Sequence, residues 1–176
     1  MKHPVATLLY RLGQVRQQLG FVAPLSAREH QEVARPLSAD ALRLFESMSP
    51  ADQRHSLRVF RGLQARGWSD RDILAAALLH DVGKAAGRVP FWTRPVVVIG
   101  KRCAPHLLTR LAVYPLEGQR LPRWRRSLSY AWWHAEVGAD LAAAAGLSER
   151  AVRYIRMHHR PDCPELAELH LVDEAS

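Results

Sequence analysis

Cysteine is scarce in this 176-residue chain: only Cys103 and Cys163 occur, far apart and in no CxxC pair. That excludes a disulfide framework or a zinc knuckle and suits reduced thiols in a cytosol. Long apolar runs are also missing. The longest late one, Pro95-Val96-Val97-Val98-Ile99-Gly100, falls well short of the about 20 residues needed to span a bilayer. Near the start, Arg11 interrupts a short apolar stretch and no small-residue cleavage site follows, so no export signal is expected and the expected location is cytoplasmic. Acidic residues are in deficit, 17 Asp+Glu against 25 Lys+Arg, for a formal charge of +8. Such a surface attracts anions without choosing among nucleotides, polyphosphates, nucleic acid and acidic headgroups. There is no internal repeat and no low-complexity segment, and the length suits one domain with a sizeable core.

What is present is helical periodicity with repeated start and stop signals, which predicts an all-α bundle. Residues 4 to 19 and 38 to 47 read as amphipathic helices around a polar stretch, an N-terminal lead-in over 1–48 before a main domain over 49–176. Ser49-Pro50 starts a helix that runs to about Arg66 before Gly67 and carries His55. Ser69 with Asp72 approximates a capping box for a helix bearing His80, Asp81 and Lys84 and ending between Gly83 and Gly87. Five prolines break residues 88 to 127, read as short helices, with Val96 to Ile99 open to a strand or a buried helical turn. A helix from about Ser129 to Ala145 carries His134, another from Ser148 reaches His158-His159 before Pro161, and Pro164 opens a last helix bearing Asp173.

On the second of these helices, His80, Asp81 and Lys84 share a sector with the apolar Ile73 and Ala77, so they point into the bundle. An inward, unpartnered carboxylate is costly to bury, and a metal is a partner that meets the cost. Imidazoles and carboxylates drawn from several helices suit divalent first-row ions. The surrounding Ala76-Ala77-Leu78-Leu79-His80-Asp81-Val82-Gly83-Lys84 resembles the signature of the HD superfamily of metal-dependent phosphohydrolases. Asp52-Gln53-Arg54-His55-Ser56-Leu57 resembles that superfamily's first-histidine helix, and Val172-Asp173-Glu174-Ala175-Ser176 its closing Asp motif. Trp133-His134-Ala135-Glu136-Val137-Gly138-Ala139-Asp140-Leu141 with Ile155-Arg156-Met157-His158 is similar to the bacterial HD proteins that split diadenosine tetraphosphate symmetrically.

The resemblance covers about residues 50 to 176 and implies the all-α HD bundle. It implies two divalent transition-metal ions, Fe or Mn ahead of Co, Ni or Zn. His55, His80, Asp81 and Asp173 would hold the first, and His134 and His158 would join a bridging Asp81 on the second. The implied activity is phosphohydrolysis, of a monoester or of a diester or pyrophosphate bond, on a nucleotide or dinucleoside polyphosphate. A metal-activated hydroxide would act, with the ions about 3.5–4 Å apart. Asp81 and Lys84 are the catalytic candidates, Lys84 by neutralising charge on the phosphoryl group.

Arg58 and Arg123 are candidates to bind the substrate, each set against the plain reading of a solvated arginine. The same applies to the whole stretch from Arg120 to Arg126, with Trp124 as a stacking platform; Trp132 and Trp133 read as core. Adjacent helical side chains diverge, so His158 is taken as the ligand and His159 is not. The lack of a Gly-Tyr-Pro motif after His159 speaks against cyclic di-GMP as substrate. His3, His30, His106 and His170 fall outside the ligand order. Two alternatives remain open: a di-iron oxygenase with the same ligand order, and a non-catalytic nucleotide-binding regulator. No specific nucleic-acid partner and no transmembrane segment are expected.

Overall fold

A computed structural model describes residues 22–86, 93, 97, 99–100, 103–114, 120–160 and 162–176. Among the described residues the chain is helical and contains no strand, as its periodicity predicts. No helix there is long and apolar enough to cross a membrane. The expected helix at 4 to 19 lies outside the described residues.

The first described helix, α1 (Ala27–Ala34), falls where the sequence reads as a polar stretch. A capping box creates it: Ser26 Oγ accepts from Glu29 N, and Glu29 Oε2 accepts from Ser26 N at 2.9 Å. Helix α2 (Ala39–Glu46) starts on Ser38 and buries Ala41 and Phe45. Helix α3 (Pro50–Ala65) has Ser49 as its cap and proline in its first turn. It gives way to Gly67, whose φ of 88° is the left-handed conformation that glycine adopts without penalty.

Helix α4 (Arg71–Leu79) is capped by Asp70, whose carboxylate accepts from Asp72 N and Ile73 N, rather than by Ser69. Every residue from Ile73 to Leu79 is buried. An all-round apolar helix of this kind must sit inside the bundle, and α4 packs against α2, α3 and two later helices, α9 (Glu149–Met157) and α10 (Pro164–Ala175). The helix does not continue through His80 and Asp81 as the sequence suggests. Those two residues form a turn, and a short α5 (Val82–Ala86) follows.

Thr93, Val97, Ile99, Gly100 and Cys103 are helical, so the described part of 88–127 fits the short-helix reading. Val97 joins Leu108, Leu128 and Ala131 in a small second core between α6 (Pro105–Leu111) and α7 (Arg123–Trp132). Where one helix is expected from Ser129 to Ala145 there are two, α7 and α8 (His134–Ala144), separated at Trp133. Trp133 and Trp132 are only partly buried; the Trp133 indole donates to Ala112 O at 3.3 Å and its ring lies 5.6 Å from that of Tyr114.

One main core joins Val33, Leu37, Ala41, Phe45 and Met48 to Leu57, Leu63, Leu78, Ile155 and Leu169. The described part of the lead-in is therefore packed into the same core as the later helices. Two close contacts fix how the helices that carry the histidines meet. A Cβ on Gly83 would overlap the His134 main-chain oxygen and stand 2.9 Å from Gly138 N, so only glycine lets α5 and α8 meet there. At Gly62 an added Cβ would come within 2.5 Å of Val172 Cγ1, which keeps α10 close against α3.

Candidate metal centre

Each imidazole owes its position to a helix end or a helix contact. His80 follows the last residue of α4, His134 is the first residue of α8, and His158 directly follows α9. In all three, Nδ1 lies against the carbonyl three residues earlier: Ala77 at 2.9 Å, Ala131 at 3.0 Å and Ile155 at 2.7 Å. A carbonyl only accepts, so Nδ1 carries the proton and donates, and Nε2 is left with its lone pair. The His80 and His158 Nε2 atoms are buried with no hydrogen-bond partner among the described residues. Carbonyl-anchored imidazoles with a free nitrogen at the other end are what metal-binding histidines need.

The potential ligand atoms converge in two triads, each with one such atom per residue and all of them within 4.8 Å of one another. The first triad is His55, His80 and Asp173, with His55 Nε2 at 2.8 Å and His80 Nε2 at 3.3 Å from the same oxygen, Asp173 Oδ1. The second is His134, His158 and His159, with the His134 and His159 Nε2 atoms 3.0 Å apart. Ligand atoms about 2.0–2.2 Å from one tetrahedral or octahedral ion lie about 3.0–3.5 Å from each other; the 3.3 Å and 3.0 Å pairs fall in that range and the 2.8 Å pair just below it. Asp81 stands between them, Oδ2 3.6 Å from His80 Nε2 and Oδ1 3.7 Å from His134 Nε2.

The electrostatics agree with this arrangement. Burial opposes the charge on Asp81, but Lys84, His80 and His134 outweigh it and hold the carboxyl well below the usual range. Lys84 Nζ donates to Asp81 Oδ2 at 2.6 Å. Asp173 is likewise held down, its burial offset by the hydrogen bond with His55 and by the His80 imidazole beside it. Burial pushes His134 to about 3, helped by Lys84, and pushes His158 far down as well. Both stay neutral lone-pair donors at neutral pH. His80 goes the other way, because Asp81 and Asp173 overcome its burial and raise it. The two carboxylates thus favour positive charge at His80, whether a proton or a metal supplies it.

All six residues read from the sequence as metal ligands are gathered here, with Lys84 beside them. His159 is the residue the sequence reading set aside. Helix α9 ends at Met157, so the divergence of adjacent helical side chains does not apply to the two residues that follow, and the His158 and His159 rings lie 3.9 Å apart. Pro161 was the available signal, because the chain leaves helical geometry ahead of a proline. Arg58 Nε donates to Ser176 O at 3.1 Å, which fastens the end of α10 and so the Asp173 carboxylate. Arg123 is exposed at the start of α7, nine residues before Trp132, or about 13 Å along the helix. The two triads do not include it. Arg125 spends its guanidinium on Leu111 O and Arg110 O, while Trp124 remains half exposed.

No family model, curated protein or solved structure matches this chain.

Proposed function

We propose that this chain is a metal-dependent phosphohydrolase acting on a nucleotide or dinucleoside polyphosphate. His55, His80, Asp81 and Asp173 would hold one divalent transition-metal ion, and Asp81, His134, His158 and His159 a second. One observation carries the reading: two triads of potential metal-ligand side chains flank opposite oxygens of a single buried, ionised carboxylate, Asp81. Bound ions would supply Lewis acidity and acidify a water at neutral pH.

The remaining work falls to the chain's own groups. The carbonyl-anchored imidazoles are fixed in rotation, so they form the donor set without reorganising. Asp81 stays ionised against its burial because Lys84 stands on Oδ2. The Lys84 side chain is 24% exposed, so its ammonium reaches both the buried carboxylate and an entering anion. That position favours phosphoryl transfer, in which negative charge must be neutralised on oxygens beside the metal ligands. A surplus of basic residues draws such anions to the surface.

The test is a screen of the purified protein with Mn, Fe, Co, Ni or Zn against nucleotides, dinucleoside polyphosphates, cyclic dinucleotides and an artificial diester. Turnover in at least one combination is expected, and Asp81→Ala is expected to lose metal and activity together. No turnover anywhere, or oxygen consumption by the iron-loaded protein without phosphate release, would sink the proposal.

A further inference from the structure

Cationic side chains also converge away from the histidines. Among the described residues, a cleft of about 700 Å³ opens between α1, the second half of α3 and the start of α4. Small-molecule sites occupy about 300–1,000 Å³. Helix α1 lends the cleft Arg28 and Gln31, and Arg35 follows at its end; spacings of three and four put them on one stripe. Arg71 lines the same cleft from the first position of α4, with Nε donating to Pro36 O at 2.9 Å, which fixes its guanidinium at the rim.

Glu32 also lines the cleft and feels the charge of Arg35, but its main partner lies elsewhere. Arg61 on α3 holds the Glu32 carboxylate in a two-pronged bond at 2.9 and 2.6 Å. Arg150 on α9 bonds both Asp70 and Asp72. Three guanidiniums are left around a floor made by buried Phe60 and Leu74, with the Gln64 amide beside it. Like charges gathered over an apolar floor repel one another until an anion is shared between them.

From this convergence of Arg28, Arg35 and Arg71 around an apolar floor edged by Gln31 and Gln64, we infer that the cleft binds a nucleoside di- or triphosphate. The phosphates lie on the arginines, where planar guanidiniums accept them by paired hydrogen bonds. The nucleoside lies along Pro36 and the arginine stems, with its polar edge toward the two amides. This site is separate from the histidine centre. Phe60 comes five residues after His55 on α3, and Leu74 six before His80 on α4, which places the cleft about 7–9 Å nearer the Gly67 turn of the same hairpin.

The experiment is calorimetric titration of the full chain in chelator, so that no divalent ion contributes, with ATP, tripolyphosphate and adenosine as probes. One ATP per chain is expected, bound more tightly than either fragment. Arg28→Ala with Arg35→Ala should weaken it at least tenfold, while Arg153→Ala, which removes an exposed arginine of α9 outside the cleft, leaves it unchanged. Unaltered ATP affinity in the double arginine variant overturns the assignment, and tripolyphosphate binding as tight as ATP removes the nucleoside from it. Hydrogen exchange on the unmodified chain gives an answer independent of any variant. Protection by ATP of residues 27–35 and 69–74 supports the site; protection confined to 80–86 and 134–138 refutes it. Because the titration excludes divalent ions, the cleft and the phosphohydrolase reading can fail separately.

Discussion

Gly83→Ala is the sharpest probe of how the centre is assembled. In an exposed helix the change would help by about 1 kcal/mol, since alanine is the better helix former. Here the new methyl would overlap the His134 carbonyl oxygen, stand 2.8 Å from its carbon and stand 2.9 Å from Gly138 N. All of these are main-chain atoms, so no side chain can rotate away. Relief requires α5 and α8 to part by about 1 Å, and overpacking of this kind costs about 1–3 kcal/mol or more. The clash therefore exceeds the propensity gain.

The separation also pulls His134 from Asp81, already 3.7 Å from Nε2 to Oδ1, while His55 and Asp173 lie on α3 and α10 and His80 at the end of α4, none of which need move. We expect urea denaturation of the metal-free protein to show a loss of about 1–3 kcal/mol. Metal analysis after loading should show the His134 ion lost or weakened at least tenfold, with the His55 ion retained. A variant as stable as the parent that binds both ions with parental affinity would refute the reasoning, because the two helices would then not be locked by main-chain contact.

Three other outcomes are expected from the same geometry. Lys84→Gln should keep both ions and lower kcat by about 10²- to 10³-fold, the usual loss for one charge-stabilising donor; loss of metal instead would show that Lys84 serves Asp81 alone. Asp173→Asn removes the anion shared by His55 and His80, and elemental analysis should find the first ion gone and the His134 ion present. Acidification of the metal-free protein should destabilise it. Buried His134 and His158 have lowered folded values, so their contribution is whole above the unfolded value of about 6.5 and is lost as pH falls toward the folded ones, about 3 for His134. His80 is raised and opposes them, contributing below about 6.5 and losing that contribution as pH rises through its folded value. Below about 6.5 His80 is protonated in both states and adds no slope, so the uptake of two protons on unfolding, by His134 and His158, gives up to about 2.8 kcal/mol per pH unit between about pH 6 and pH 4. Urea midpoints that rise over that interval on acidification would contradict the balance.

Much of the architecture was legible because its signals are local. Ser49-Pro50, Gly67, Ser148 and Pro164 mark helix ends through the capping and dihedral preferences of one or two residues, and the ends fall at those places. Ser26 and Glu29 carried an equally local capping box, but the polar composition around them obscured the helix they start. The break at His80-Asp81 and the division at Trp133 were not legible. The residues there are compatible with helix, and both breaks lie where α5 packs against α8 through Gly83, a contact that only the tertiary structure creates.

By itself, then, the sequence determined the helical class, most helix ends and the chemical identity of the donors, because these depend on residue type and near-neighbour spacing. Tertiary structure decided which donors meet. It set His159 beside His134, turned the two oxygens of Asp81 toward different triads, and used Arg58 to dock the helix that carries Asp173. Those facts depend on distances between residues up to 118 positions apart, and such distances are settled by the close packing of a shared core, which no local pattern encodes.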